Sequence, residues 1–259
     1  MDLGIAGRWA IVCASTQGLG RACAEALAAE GVNIVLNGRT PARVEEVAEE
    51  LATTHGVHVR SVAGDLTTPE GRSAVLAAHP EPDILVTNNA GPAPGRIGEV
   101  TDEDLAHALE LHYWSPISLV RGVLDGMQRR RFGRIVNITS AMVTTPRATM
   151  VASTGARTGM TAVMKAISQE SVRHNVTINC LLPERIDTGR QEQMAHIEAD
   201  RHGISYDEAR RRQAASIAAG RHGLPSELGA ACAFLCSVHA SFISGVNLHL
   251  DGGSYPGLV

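Results

Sequence analysis

The stretch "CASTQGLGRACAEALAAEG", residues 13–31, decides the fold of this chain. It follows the apolar run "WAIVC" at residues 9–13 and leads from a turn that contains Gly18 and Gly20 into an alanine-rich helical pattern. A glycine-bearing turn between a strand and a helix lets the backbone and the helix N-terminus approach a phosphate group, because the exposed N–H groups there favour negative charge. The stretch therefore predicts the first β-α unit of a nucleotide-binding fold.

Six further apolar runs alternate with helical patterns along the rest of the chain. Their near-continuous apolarity, rich in Val and Ile, is typical of parallel strands that are covered on both faces. Successive strand-helix-strand units with right-handed crossovers give a doubly wound sheet. We therefore predict an α/β fold, a single Rossmann-like domain over residues 1–259 with a doubly wound, parallel, seven-stranded sheet and helices on both faces. The six runs are residues 33–36, 57–62, 84–87, 134–138, 177–182 and 245–250.

Residues 189–222 do not fit this plain alternation, because they are polar and helical in pattern and lie between the sixth and seventh strands. In an open α/β sheet, extra helices after the carboxyl end of a strand lie over the ligand crevice. We interpret this segment as a substrate lid, with surface decoration as the alternative. Ser205 and Glu208 have the spacing of a helix-capping box within it.

The composition excludes several classes of protein. With 259 residues, 44% hydrophobic and 19% charged, the chain can bury a large core. A net charge of -4 gives no attraction to nucleic acid or to acidic membranes. The N-terminus lacks a signal segment, and no stretch approaches the roughly 18 apolar residues of a membrane helix, which predicts a cytoplasmic protein. The five cysteines show no paired spacing, and Cys232 and Cys236 lack partner histidines, so we predict core thiols and no metal site.

Several motifs in order resemble the short-chain dehydrogenase/reductase family of the classical type. The family turn reads Thr-Gly-x-x-x-Gly-x-Gly, and this chain carries Cys13 and Ala14 at its first two places. Further similar motifs are "GDL" at 64–66, "NNAG" at 88–91, "GRIVNITS" ending at Ser140, and the segment from 223 to 253. The resemblance implies a nicotinamide dinucleotide cofactor. The predicted cofactor-binding residues are Ser15, Thr16, Gln17, Gly18, Leu19, Gly20, Arg39, Asp65, Leu66, Asn89, Ala90, Gly91, Arg157, Pro183, Ile186 and Thr188.

The end of the second strand indicates which dinucleotide is bound. An NAD site usually places a carboxylate there, whereas a 2′-phosphate requires an arginine. The sequence "LNGRT" at 36–40 contains Asn37 and Arg39 and no acid, so NADP is favoured over NAD. Gln17 supplies no second positive charge, and a surface arginine without a ligand is the alternative for Arg39.

The catalytic motif departs from the resembled family, in which a serine and a tyrosine polarise the substrate oxygen. A lysine four residues after that tyrosine binds the nicotinamide ribose, and an upstream asparagine holds a water. Ser140 matches the serine, but the other three places carry Ser153, Arg157 and His112. The chain is therefore identified as an atypical member with Ser-x-x-x-Arg in place of Tyr-x-x-x-Lys.

These replacements change the proton chemistry. A serine hydroxyl is a far weaker acid than tyrosine, whose pKa is about 10. Arg157 cannot relay a proton, but its guanidinium can hold ribose hydroxyls or a carboxylate. His112 is suited to acid-base work, with internal packing as an equal alternative. In our working hypothesis Ser140 and Ser153 hydrogen-bond the reacting oxygen, Arg157 positions cofactor or substrate, and His112 moves the proton.

Two other features bear on the site. Tyr206 lies in the lid segment and could close over the site, whereas Tyr113 is expected to pack internally. Where the family reads Pro-Gly, this chain has Pro183 and Glu184 followed by Arg185. The two charged side chains either add charge near the chemistry or point to solvent.

The predicted function is that of an NADP-dependent oxidoreductase that interconverts a small carbonyl compound and its alcohol, similar to a 3-oxoacyl reductase. A non-redox enzyme and an NADP-binding regulatory protein on the same fold are the alternatives. We expect a small-molecule substrate, no nucleic-acid or membrane partner, and a homo-oligomer. By family analogy that oligomer is a tetramer or dimer built through helices at residues 103–131 and 153–174.

Overall fold

The computed structural model describes residues 1–258 and confirms the predicted α/β fold. Seven parallel strands form one sheet in the order β3-β2-β1-β4-β5-β6-β7. The order reverses beside β1, which creates the crevice where open α/β sheets bind ligands. The strands are β1 Trp9–Val12, β2 Asn33–Gly38, β3 Val59–Ala63, β4 Ile84–Thr87, β5 Gly133–Ile138, β6 Val176–Pro183 and β7 Asn247–Leu250.

Nine α-helices connect the strands within the described residues and cover both faces of the sheet. One core packs α1, α2 and α9 against the sheet, and a second core packs α3, α5 and α6 against the opposite face. Neighbouring β1 residues alternate between the two cores, as the period of a strand requires. The helices are α1 Gly18–Ala29, α2 Pro41–His55, α3 Pro69–Ala78, α4 Asp102–Leu109, α5 Ser115–Arg130, α6 Val151–Ser171, α7 Gly189–His202, α8 Tyr206–Ala215 and α9 Pro225–Cys236.

The structure interrupts the helix expected at 103–131. A single π-helical turn, Glu110–Trp114, joins α4 to α5 and carries His112. π-helical turns inside α-helices are rare and occur frequently at functional sites. This turn buries Leu111 and His112 beneath α6.

Residues 189–222 fold into α7 and α8, which pack on each other through a small alanine cluster. The Ser205 hydroxyl accepts a hydrogen bond of 3.2 Å from the Glu208 N–H and so begins α8. The Glu208 carboxylate contacts Arg211 and Arg212 instead of completing a capping box. The lid role of this segment stays a prediction.

The first and last helices, α1 and α9, make the most extensive helix–helix contact among the described residues. A Cβ atom added at Gly229 of α9 would lie 2.5 Å from the backbone oxygen of Ala22 in α1. Only glycine permits this approach, because real Cβ atoms essentially never come so near a backbone oxygen. The five cysteines are buried free thiols. No helix among residues 1–258 is long and apolar enough to span a bilayer.

Candidate active site

A crevice of about 1110 Å³ opens at the carboxyl edge of the sheet. Its walls come from the loops after the first six strands, β1 to β6, and from α6 and α7. Most of the residues that the sequence predicts for cofactor binding line it. They are Thr16, Gln17, Gly18, Leu19, Arg39, Asp65, Leu66, Asn89, Ala90, Gly91, Arg157, Pro183, Ile186 and Thr188.

The turn after β1 leaves open backbone that fits a pyrophosphate. Gly18 adopts φ +58° and Ala14 adopts φ +46°, both in the left-handed region. A Cβ atom at Gly20 would lie 2.3 Å from the Ala14 oxygen, so Gly20 permits the close packing of α1 on β1 instead of lining the crevice. The N-cap of α1, Gln17, makes no side-chain cap, which leaves the N–H groups of the first turn free to bind an anion.

Ser15 does not contribute to this turn in the way the sequence predicts. Its side chain is fully buried and lies outside the crevice lining. The hydroxyl donates to the Val12 oxygen over 2.7 Å and accepts from the Asn37 N–H over 3.1 Å. Ser15 therefore links the end of β1 to the end of β2. Because these backbone groups already occupy its hydroxyl, the side chain is not free to bind a ligand.

The end of β2 presents two positive charges to the crevice. Arg39 lies there as the sequence predicts, and Arg43 in the first turn of α2 lines the same wall. The nearest acid on this wall, Asp65, is engaged by the backbone N–H and the hydroxyl of Thr67. The Thr67 N–H is the main reason that the pKa of Asp65 lies below its usual value, and Arg39 contributes less.

Arg190 is a further cation that the sequence reasoning missed. It lies in the first turn of α7 and donates to the Pro92 oxygen over 2.7 Å, so its guanidinium packs over Gly91. Thr188, the N-cap of α7, faces Gly18 across the crevice, with its Cγ2 3.8 Å from where a Gly18 Cβ would lie. The start of α7 therefore closes against the start of α1.

Ser140, Ser153 and Arg157 lie together on the wall of the crevice. The Ser140 hydroxyl accepts a hydrogen bond from the Met142 N–H over 3.2 Å. The Ser153 hydroxyl accepts one from Arg157 Nε over 3.3 Å. Each serine therefore has an acceptor position filled by an N–H donor, which leaves its own O–H free to donate to a reacting oxygen.

Arg157 is a buried cation without an ion-pair partner in the described part of the chain. Its Nη1 donates to the Ile138 and Thr139 oxygens over 2.9 and 2.7 Å, which fixes the guanidinium at the end of β5. Burial, and to a lesser degree the charge of Arg190, lowers the pKa of Arg157 to about 10. The side chain remains charged at neutral pH.

His112 lies behind Arg157 and not in the crevice. It borders a separate small chamber together with Asn89, Ser115 and Arg157, and its Nε2 has no hydrogen-bond partner in residues 1–258. Burial first, and then the charge of Arg157, lowers the pKa of His112 well below its usual value. The imidazole is therefore neutral, and the structure does not bring it into contact with the crevice.

The three tyrosines also lie away from the crevice. Tyr206 stacks on His196 within the α7–α8 pair at 4.6 Å, so it does not close over the site as the sequence allowed. Tyr113 packs beside Trp114 and Gly159, as expected. Tyr255 stacks on His249 at 4.2 Å. No tyrosine among the residues described substitutes for the missing one.

The chain has extensive similarity to known proteins. A family model described as "Enoyl-(Acyl carrier protein) reductase" matches residues 13–255. The NADPH-dependent reductase BacG of Bacillus subtilis is 30% identical over 95% of this chain and 97% of its own. The 3-oxoacyl-[acyl-carrier-protein] reductase FabG of Aquifex aeolicus is 30% identical, with 98% and 100% covered. L-sorbose reductase from Gluconobacter frateurii, solved with NADPH and L-sorbose, has a TM-score of 0.94 and 31% identity, and the match covers 100% of both chains.

The fold, the open glycine turn and the crevice at the sheet edge define a Rossmann-type dinucleotide enzyme. The matches show the family directly, because the family model spans most of the chain and relatives at 30% identity cover nearly all of it. This chain belongs to the short-chain dehydrogenase/reductase family and is an NAD(P)-dependent oxidoreductase.

Proposed function

We propose that the chain is an NADPH-dependent reductase that interconverts a small carbonyl compound and its alcohol with an altered catalytic set. One observation carries the proposal. Ser140 and Ser153 each hold a free O–H donor in the same crevice as the open glycine turn. In this proposal both O–H groups donate to the carbonyl oxygen of the substrate. Two such donors stabilise the negative charge that develops on that oxygen during hydride transfer.

Charge at the adenosine end of the crevice supports NADPH over NADH. Arg39 and Arg43 line this wall, and no acid stands at the end of β2, where an NAD site would hold one. Arg190 adds positive charge to the crevice at the loop after β4, where it packs over Gly91. The family resemblance further assigns Asp65, Asn89 and Thr188 to the cofactor.

In this proposal Arg157 takes two roles. It donates to Ser153 Oγ and so orients that hydroxyl, and its uncompensated charge lies close to the developing alkoxide. Because the Arg157 guanidinium is buried, its fixed charge stabilises a neighbouring negative charge more than a charge surrounded by water would. Bound NADPH supplies the hydride, which leaves polarisation and proton delivery to the protein.

The proton requires another source, because neither serine is acidic enough and Arg157 does not titrate near neutrality. We propose that crevice water protonates the alkoxide and that His112 packs as a neutral imidazole. In the alternative arrangement, a water in the chamber bordered by His112, Asn89 and Arg157 relays the proton. Loss of rate in His112→Asn with NADPH affinity kept would favour that alternative.

Calorimetry and turnover together test the proposal. We expect NADPH to bind at least about tenfold more tightly than NADH, since a charge-assisted contact to a phosphate is worth at least that much. We also expect NADPH oxidation with a small ketone, reduced in Ser140→Ala. Absence of binding heat with both NADPH and NADP⁺ would overturn the whole proposal.

A second candidate is an NADP-binding protein without redox activity. One observation favours it, because no tyrosine among residues 1–258 lines the crevice. Tight NADPH binding without oxidation across a panel of ketones and aldehydes would select this candidate, as it would the non-redox enzyme.

We also propose that the chain forms a homo-oligomer through α4, α5 and α6. Large apolar side chains are exposed at the ends of these helices in the single chain: Leu109 ends α4, Trp114 lies in the π-helical turn before α5, and Val172 follows α6 directly. Contact with a second copy would remove this apolar surface from water, which is favourable. Light scattering after size-exclusion chromatography should give the mass of a dimer or tetramer, and a monomer mass of 27.3 kDa would contradict the proposal.

A further inference from the structure

Three charged side chains form one cluster on the substrate side of the crevice. Arg147 Nη2 lies 3.1 Å from Glu184 Oε1, and Arg185 Nε lies 3.6 Å from the same oxygen. All three residues line the crevice that contains Ser140. Glu184 takes the place where the family usually carries glycine, so the family pattern does not itself account for this carboxylate.

Part of the hydrogen-bonding capacity of this cluster is unfilled. The Glu184 side chain is 6% exposed, and both ion pairs engage its Oε1, whereas no residue among 1–258 forms an ion pair or hydrogen bond with its Oε2. The Arg185 side chain is 18% exposed, and its Nε is buried without an acceptor. Arg147 is exposed (45%), so the buried members of the cluster are Glu184 and Arg185. Buried charged groups are stable only when hydrogen bonds satisfy their remaining lone pairs and protons. The cluster therefore has unfilled donor and acceptor positions, and the hydrogen-bonding groups of a ligand can fill them.

The backbone at Arg185 gives a second indication of function. Arg185 adopts φ +48°, in the left-handed region that non-glycine residues rarely occupy. Hydrogen bonds from Gly223 N to the Arg185 oxygen and from Asp187 N to the Gly223 oxygen hold it there. Strain of this kind persists at sites where a ligand is bound.

The wall behind the cluster offers both a donor and an acceptor. Gln191 Nε2 and Gln213 Oε1 are buried without partners in the described residues, and both glutamines line the crevice. Gln213 Nε2 donates to Glu198 over 3.2 Å. This wall favours a ligand whose groups both donate and accept hydrogen bonds.

The charges around the cluster balance one another. Arg147 and Arg185 face Glu184 and Glu198, which gives two positive and two negative groups. Burial lowers the pKa of Arg185, while Glu184 and Glu198 act in the opposite direction. An anionic group on the ligand would have to compete with the two carboxylates for the guanidinium groups. A neutral hydroxyl, in contrast, can donate to a carboxylate and accept from a guanidinium.

We propose that the substrate is a neutral polyhydroxylated ketone or aldehyde, whose hydroxyl groups are bound by Arg147 and Glu184 while its carbonyl oxygen lies at Ser140. This inference rests on the proposed function and narrows its substrate class. A plain acyl chain would leave the charged cluster unsatisfied, which is why a hydroxylated substrate is preferred over the 3-oxoacyl type that the sequence suggests.

A matched set of four-carbon ligands tests the inference by binding. The protein is saturated with NADP⁺, with which a ketone cannot be reduced, and is titrated with erythrulose, 2-butanone and 2-oxobutanoate while saturation-transfer NMR reports binding. Erythrulose should bind at least about tenfold more tightly than 2-butanone, because a site built for hydroxyls discriminates strongly against analogues without them. Equal or tighter binding of 2-butanone or 2-oxobutanoate, or no binding of erythrulose, overturns the inference.

Two variants locate the contact. Glu184→Gln and Arg147→Ala should each weaken erythrulose binding by about tenfold, the loss expected for one charge-assisted hydrogen bond, with NADPH affinity unchanged. The exposed residues Glu192 and Arg121 provide matched controls as Glu192→Gln and Arg121→Ala. If both cluster variants bind erythrulose as the unaltered protein does, the assignment is wrong. Erythrulose binding without any NADPH oxidation would instead overturn only the proposed reductase function.

Discussion

Arg157 Nε donates a hydrogen bond of 3.3 Å to Ser153 Oγ, one helical turn earlier in α6. The family pair of tyrosine and lysine has the same spacing, but here the cation orients a weakly acidic hydroxyl instead of lowering the pKa of a phenol. The pair can therefore polarise a carbonyl but cannot deliver the proton. This division of tasks leads to the first prediction.

Ser153→Ala should lower kcat/KM by about 100-fold, which is the usual effect of removing one oxyanion donor. The NADPH dissociation constant should stay the same, because Ser153 binds the reacting oxygen in our proposal. Steady-state NADPH oxidation and calorimetry measure the two quantities. Ser168→Ala, a buried serine of α6 outside the crevice, serves as the control. An unchanged rate in Ser153→Ala would remove this hydroxyl from the mechanism.

Replacing Arg39 and Arg43 together by alanine should weaken NADPH binding by at least about tenfold, because each arginine offers a charge-assisted contact to the 2′-phosphate. NADH binding should change little, since NADH lacks that phosphate. Calorimetry with both cofactors measures the change, and Arg129→Ala at the exposed end of α5 is the control. A parallel loss for NADPH and NADH would show that these arginines do not read the phosphate.

His112 should make the fold sensitive to acid. Burial keeps the folded-state pKa of His112 well below 6.5, so below that pH the unfolded chain binds a proton that the folded chain excludes. Stability from this group is complete above pH 6.5 and falls by up to about 1.4 kcal/mol per pH unit as the pH drops toward the folded-state pKa. Thermal unfolding between pH 7 and 5 measures the slope.

His112→Asn should flatten that slope, since asparagine does not titrate. His58→Asn, at an exposed histidine before β3 that is not among the charges acting on His112, is the matched control. Identical slopes for the unaltered protein and His112→Asn would contradict the burial of a neutral imidazole at this position.

Ala14→Gly should stabilise the fold by about 1 kcal/mol, because alanine at φ +46° lies in a region that costs L-residues that much. Chemical denaturation measures the free energy of unfolding. Ala63→Gly in β3, where the backbone is not left-handed, should instead destabilise the protein. A loss of stability in Ala14→Gly would show that packing of the Ala14 methyl group contributes more free energy than the strained backbone of the turn costs.

The strands were predictable because a parallel sheet buries both faces, so each strand stands out as an apolar run. All seven runs overlap observed strands. Two helix starts can also be predicted, because a threonine directly before a proline offers a capping hydroxyl ahead of the first helical position at Thr40 and Thr68. At Thr68 the hydroxyl accepts from the Gly71 N–H over 3.1 Å, whereas α2 begins after Thr40 without a side-chain cap.

The direction of individual side chains was not predictable. Ser15 turns inward because Val12 and Asn37 offer strand-end partners, and His112 is buried by a π-helical turn that leaves no mark in the sequence. Arg43 and Arg190 did leave a signal that was missed. Each is a cation in the first turn of a helix, where the helix dipole disfavours positive charge, so a bound anion would offset that cost.

The contact of Gly229 with Ala22 also has a consequence for biosynthesis. The two residues are about two hundred positions apart in the sequence. Helix α1 therefore cannot complete its packing against α9 until the ribosome has released nearly the entire chain. Contacts of such long range slow folding and leave apolar surface uncovered meanwhile. A nascent chain arrested before α9 should therefore be cut readily by protease within α1.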